Sequence, residues 1–142
     1  RELFAQVHDS VMKVYELRGT RVWGAFDDMT LTGAVALSPV LLPARTRQLW
    51  LWGMYVYPRY RGTPASRLLM ETVLAWRERH YAGSSVMGSF HRNNRHAWQM
   101  VMRFGFIASH GHEELNKAGL VPPEHVVVEC TRCPPLEALK SA

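Results

Sequence analysis

A chain of 142 residues has room for one domain and buries about two-thirds of the surface its unfolded form exposes, enough for a small enzyme. Hydrophobic residues make up 47% of it and charged residues 20%, which excludes the disordered and fibrous classes. The formal net charge of +5 asks for an anionic partner, and a phosphate-bearing cofactor, nucleic acid or an acidic protein would each satisfy it.

Arg1 to Arg18 carries Leu3, Phe4, Val7, Val11, Val14 and Tyr15 on one side at helical spacing, with Gly19 as its stop, and reads as one helix or a broken pair. The chain opens on Arg1 and Glu2, and its longest apolar runs reach only about half the length of a bilayer-spanning helix. No targeting or membrane segment is therefore expected, and the cytoplasm is the expected location. Arg21 to Phe26 and Leu31 to Val40 are β-rich runs joined by Asp27-Asp28-Met29-Thr30, a turn-forming cluster, so they form an antiparallel hairpin. After a basic loop, Pro43 to Arg47, the run Leu49 to Tyr57 has no proline or polar break and reads as a buried strand that Pro58 stops.

Pro58-Arg59-Tyr60-Arg61-Gly62 then delivers the chain to Thr63-Pro64, read as a helix N-cap followed by the first helical residue. Ala65, Leu68, Leu69, Thr72, Val73 and Trp76 recur at helical spacing as one apolar face, and the helix runs to about Tyr81. A strand, a basic turn and a helix start aim several free backbone N–H groups and the positive end of a helix dipole at one spot. With Arg59 and Arg61 beside it, that spot suits a phosphate.

Ser84 to His91 reads as a strand, and Asn93-Asn94 opens a helix, Arg95 to Phe104, with Ala97, Met100, Val101 and Phe104 inward. Gly105 ends it as a left-handed cap. Phe106 to His110 is strand-like, Glu113 to Glu124 is a loop broken by Pro122-Pro123, and His125 to Thr131 is the final strand. The order α, β, β, β, α, β, α, β, β shows no repeat and no internal boundary, so residues 1–142 are read as one domain.

Cys130 and Cys133 read as two reduced thiols, because a single C-x-x-C offers zinc only half of its ligands. His110-Gly111-His112-Glu113-Glu114 has metal-ligating types but no distant third ligand, so no metal is expected. Trp50 and Trp52 share one face of the long strand, as core or cleft wall. With no Walker A and no G-x-G-x-x-G sequence, nucleotide hydrolysis and dinucleotide binding have no support. No RNA-recognition or helix-turn-helix pattern accompanies the basic surface, so nucleic acid is disfavoured.

The string MYVYPRYRGTPASRLL resembles motif A of the GNAT-type N-acetyltransferases, in which a strand leads through a Y-R-G turn into a helix that cradles the pyrophosphate of acetyl-CoA. Asn94-Arg95-His96-Ala97, followed by Phe104-Gly105-Phe106, resembles the same family's motif B. The resemblance implies an α/β (α+β) GNAT fold: a central mixed, mostly antiparallel sheet splayed between the fourth and fifth strands and flanked by helices. The family's first strand has no counterpart ahead of the Arg1 helix. It further implies an N-acetyltransferase that moves an acetyl group from acetyl-CoA, as cosubstrate and without a metal, to an unidentified primary amine by direct attack. The alternative is a GNAT-shaped binding or structural module with weak or no catalysis. The family reading also admits a homodimer.

By that resemblance the CoA-binding positions are Tyr55, Val56, Tyr57, Arg61, Gly62, Thr63, Ala65, Ser66 and Asn94. A strand amide around Tyr55 to Val56 would polarise the thioester carbonyl, and Gly53 is the candidate for the bulge that opens the strand there. Two departures stand out. Both later glycines of the family's loop are replaced, and Pro64 has no N–H to offer a phosphate. In motif B, Val101 stands where many members place a tyrosine that protonates the leaving thiolate. Acid–base work would then fall to His91, Tyr55 or Tyr57, of which the two tyrosines, as alternate strand residues, are not expected to face one pocket together.

Overall fold

The computed structural model describes residues 19–40, 48–109 and 121–130. The helix expected over Arg1 to Arg18, the basic loop from Pro43 and the His110 to Glu114 cluster lie outside them. The chain divides into two compact units, Arg1–Ala82 and Gly83–Ala142.

In the first unit β1 (Arg21–Asp27), β2 (Thr30–Val40) and β3 (Gln48–Val56) lie in the order β1-β2-β3, each antiparallel to its neighbour. The hairpin expected at Asp27 to Thr30 forms, and Asp28 takes φ 56 in its loop, a left-handed conformation that aspartate tolerates better than most residues. Pro58 ends β3 as expected, and Pro58–Tyr60 makes one 3₁₀ turn before α1 (Ala65–His80). Helix α1 packs on all three strands. It covers the face that carries Val35, Leu37 and Leu49, none more than 1% exposed, and the Trp76 ring meets Trp23 edge-on at 5.6 Å.

Two expectations about α1 change. Its buried stripe is Ala65, Leu69, Met70, Val73, Leu74 and Arg77, whereas Leu68 is 50% exposed and Thr72 spends its hydroxyl on the Leu68 carbonyl at 2.7 Å. Three successive apolar residues, Leu68 to Met70, fit either of two helical phases, and packing on the sheet selects the one containing Leu69 and Met70. The helix also starts one residue late: Pro64 is its N-cap and Ala65 its first residue, although the Thr63 hydroxyl still accepts the Ala65 N–H at 3.4 Å.

Each strand pair in this unit contains one bulge. Between β1 and β2 the register shifts after Ala25–Gly33, so Thr32 is the extra residue. Its buried hydroxyl donates to the Ala25 carbonyl at 3.0 Å, and its own carbonyl accepts the Tyr57 N–H at 2.9 Å. Between β2 and β3, Val35 faces both Gly53 and Met54, because Ala34 pairs with Tyr55 and Ala36 with Trp52. Gly53 adopts φ 57, the left-handed conformation a bulge of this kind takes, as the lone glycine in that strand suggested.

In the second unit β6 (His125–Cys130) lies between β4 (Val86–His91) and β5 (Ile107–Ala108), antiparallel to both. Helix α2 (Arg95–Arg103) is capped by Asn94, whose side chain accepts the Ala97 N–H at 3.1 Å. Gly105, at φ 84, ends it: the Phe106 N–H reaches Val101 O at 2.9 Å and the Gly105 N–H reaches Met102 O at 3.1 Å, a Schellman cap. Because Phe106 belongs to that cap, β5 begins at Ile107. Val86, Met87, Phe104, Phe106, Val127 and Val128 form the core of this unit. Cys130, 1% exposed, carries a disulfide, which corrects the reading of a reduced thiol there; Cys133 lies outside the described residues. The α/β class expected from the sequence is the one observed. No described helix is long and apolar enough to cross a membrane.

Candidate active site

The turn between β3 and α1 is built from its backbone. Tyr60 N–H closes on Tyr57 O at 2.8 Å, Arg61 N–H on Pro58 O at 3.3 Å and Thr63 N–H on Tyr60 O at 3.3 Å, while Leu68 N–H reaches back to Pro64 O at 2.9 Å. Gly62 sits among them at φ 84 with open space where a Cβ would be. The amides of Gly62, Ser66 and Arg67 make no hydrogen bond among the described residues. The Ala65 amide is held only by its long contact to the Thr63 hydroxyl. Orphan donors at a helix start beside a left-handed glycine form the concave set that binds anions. Of the amides expected to be free, Gly62 and Ser66 are, Thr63 is occupied, and Ala65 is loosely so. Arg67 is a donor that the sequence reading missed. Pro64, at φ −68 and ψ 1, contributes none.

Arg61 is turned back on the strand. Its Nε donates to Val56 O at 3.1 Å, and its guanidinium lies 5.6 Å from the centre of the Tyr55 ring. The Arg59 guanidinium stands 5.8 Å from the Tyr60 ring, and Arg67 is loosely paired with Glu71 at 3.7 Å. Positive charge is thus held at the turn by an arginine anchored to the end of β3.

Tyr55 and Tyr57 meet edge-on with ring centres 5.5 Å apart. The expectation that they could not share a pocket is therefore wrong: side chains two apart on a strand point the same way. The bulge extends this. By inserting Gly53, it brings Tyr55 onto the face that Trp50 and Trp52 occupy, opposite Ala34, Ala36 and Ser38 of β2. Trp50 is core at 3% exposure, whereas Trp52 is half-buried with its Nε1 enclosed and without a hydrogen-bond partner among the described residues.

In the second unit His91 ends β4, exposed, and its Nδ1 accepts the Asn93 N–H at 3.1 Å. A neutral His91 therefore carries its proton on Nε2, which makes that nitrogen a donor. The Asn94 N–H reaches His91 O at 2.9 Å, and with its oxygen engaged in the cap, Asn94 keeps only its Nδ2 for a ligand. Directly across from His91 in the register is His125, ring centres 6.2 Å apart. Burial holds the His125 imidazole below its ordinary value, the charge of His91 adds to this, and Glu124 opposes it. No local pattern marks His125, since its pairing with His91 arises only from the β4–β6 register. Val101, expected from the resemblance to stand where many members place a tyrosine, is 7% exposed. Among the described residues no group of three His, Cys, Asp or Glu is placed to hold a metal.

The family model described as "Acetyltransferase (GNAT) family" matches residues 2–106. Solved structures of similar fold include an acetyltransferase from Streptococcus agalactiae, with a TM-score of 0.65 and 17% identity over 92% of this chain and 78% of that one. An acyl-CoA N-acyltransferase from Pseudomonas aeruginosa aligns with a TM-score of 0.61 and 21% identity over 84% and 73%. The PaiA N-acetyltransferase of Thermoplasma acidophilum, solved with coenzyme A, aligns with a TM-score of 0.57 and 18% identity over 79% of this chain, which spans 60% of that protein's length. No curated protein matches the sequence. At these identities the structures establish likeness of fold, and the family match over most of the sequence establishes membership: the chain belongs to the GNAT acetyltransferase family.

Proposed function

We propose that the protein is an N-acetyltransferase that takes the acetyl group of acetyl-CoA and delivers it to a primary amine. The observation that carries this is the turn at Gly62, with its open amides, on a chain of this family. The pyrophosphate of CoA is the doubly charged group that the amides of Gly62, Ser66 and Arg67 suit, with Ala65 and the hydroxyls of Thr63 and Ser66 beside them. Tyr55, Val56 and Tyr57 take the pantetheine arm by backbone contacts at the end of β3, and Asn94 contributes its Nδ2.

Acetyl-CoA supplies an activated thioester. In the reaction a C–N bond forms, the C–S bond breaks, the amine gives up a proton and the sulfur takes one. An alkylamine with a pKa of about 10 must lose its proton before it attacks. His91, a donor at Nε2, is suited to stabilise the leaving thiolate by a hydrogen bond rather than to act as base, the proton that ends on sulfur coming from water, and this takes over the place left by Val101. Tyr55 and Tyr57 supply hydroxyls that can pass the amine's proton to water.

Calorimetric titration with acetyl-CoA, followed by thiol release in the presence of a panel of small amines and peptides, tests the reading. Binding with turnover supports it; no binding at millimolar acetyl-CoA overturns it. Binding without turnover on any amine identifies a module without catalysis. For the assigned donor, His91→Ala should lower kcat by about tenfold or more at nearly unchanged KM for acetyl-CoA. An unchanged kcat removes His91 from the mechanism.

A further inference from the structure

The chain contains two cysteines, Cys130 and Cys133, spaced as C-x-x-C. Cys130 is disulfide-bonded, so within this chain its bond can only be to Cys133. A bridge that spans four residues removes little freedom from the unfolded chain, because loop-closure entropy grows with loop length. Strand β6 has little need of it either. Cys130 is the last residue of β6 and lies opposite Val86 of β4, in a register that continues unbroken to His91 and His125, while β5 pairs with β6 from the other side. As a staple the bridge is poorly placed, and its chemistry is the better reason for it.

The surroundings of Cys130 suit both redox states. Its Sγ stands 3.9 Å from the Phe104 carbonyl oxygen in the core of the second unit. At that distance a thiol donates a weak hydrogen bond, whereas a disulfide sulfur has no hydrogen to give and packs as an apolar atom. Reduction therefore strands no polar group in the core. Burial also makes the two sulfurs unequal. Cys130 is 1% exposed, so a thiolate attacking the folded chain must take the Cys133 sulfur. Arg132, between the two in sequence, supplies a positive charge of the kind that stabilises a departing thiolate.

We propose that Cys130 and Cys133 form a reversible redox site, opened by a dithiol. One thiolate of the dithiol bonds to the Cys133 sulfur, the S–S bond breaks, and Cys130 leaves as a thiolate that takes a proton. The second thiolate of the dithiol then attacks its own partner sulfur in the mixed disulfide and releases Cys133, which is protonated in turn. The dithiol ends as a disulfide, and the chain gains two electrons and two protons. An oxidised thiol reagent runs the exchange in reverse and restores the bridge. No step uses the turn at Gly62, so the site does not depend on the proposed acetyl transfer.

Thiol counting on the whole chain with a maleimide–polyethylene glycol reagent tests it, with circular dichroism as the control for folding. Dithiothreitol should add two labels together to the oxidised chain under native conditions, at a rate within about tenfold of that in concentrated urea. A bridge reached only through global unfolding would open about 10³-fold more slowly or worse. The reduced chain should keep its folded spectrum, and oxidised glutathione should remove both labels again. In the Cys133→Ala variant the remaining Cys130 thiol should be labelled about tenfold or more slowly than the first thiol of the reduced wild type. Reduction only in urea, unfolding on reduction, or two thiols that oxidised glutathione cannot join overturns the proposal. So does a bridge that a non-reducing gel shows to run between chains, or a Cys130 thiol labelled as fast as the first wild-type thiol.

Discussion

Pro64→Gly adds one N–H to a helix start where the flanking donors are already in place. Pro64 sits at φ −68 and ψ 1, which glycine or alanine adopts without strain, so neither change need move the turn. A hydrogen bond from a backbone amide to a charged phosphate oxygen is worth about 1.5–3 kcal/mol. Glycine returns about 0.5–1 kcal/mol of this through added backbone freedom. The net gain of about 1–2 kcal/mol corresponds to a fall of about 5–30-fold in the Kd for acetyl-CoA. Pro64→Ala restores the same N–H without the glycine penalty and should gain at least as much. Calorimetry reads both, and S-acetylpantetheine, which has no pyrophosphate, supplies the internal control: its affinity should not change. If both variants fold and bind acetyl-CoA no better than the wild type, the turn is not the pyrophosphate site. An equal gain for S-acetylpantetheine would mean that Pro64 acts on the strand end instead.

Gly33→Ala should destabilise by about 1–3 kcal/mol in urea unfolding and raise the KM for acetyl-CoA. Its Cβ would meet Tyr55 O at 2.7 Å and Val56 Cγ2 at 3.1 Å, so the strand end must shift; unaltered stability would contradict that packing. Thr32→Val leaves the Ala25 carbonyl without its buried donor and should cost about 1–3 kcal/mol in guanidinium unfolding. His125, held below its ordinary value of 6.5, binds its proton more readily unfolded than folded. The thermal midpoint should therefore drop as pH falls through about 6.5 towards the lowered folded value, and stay level above it. His125→Gln should flatten that part of the curve, and parallel wild-type and variant curves would refute the assignment.

The hairpin, β3 and α2 were legible because each is bounded by local chemistry: Asp27-Asp28 at one turn, Pro58 after β3, Asn94 and Gly105 around α2. The Gly53 bulge was legible too, since a single glycine inside an aromatic strand has few other reasons to be there. What escaped reading depends on distant partners. The phase of α1, with Leu68 outward and Met70 inward, is chosen by the sheet it packs on. The cross-strand approach of His125 to His91 follows from the β4–β6 register, and the amide of Arg67 is open because Pro64 moves the helix start by one residue. The separation of Tyr55 from Tyr57 was a misreading of strand geometry rather than missing information.

Thr32 makes the first unit a mechanical linkage. Its hydroxyl grips the carbonyl of Ala25 in β1, and its carbonyl grips the amide of Tyr57, where β3 hands over to the turn at Gly62. One route from β1 to Tyr57 therefore runs through a single residue, beside the strand ladders and the helix that also join them. Whatever displaces β1 would be felt at the turn as a change in how often the Tyr57 amide opens, and hydrogen exchange at that one amide would read the tension.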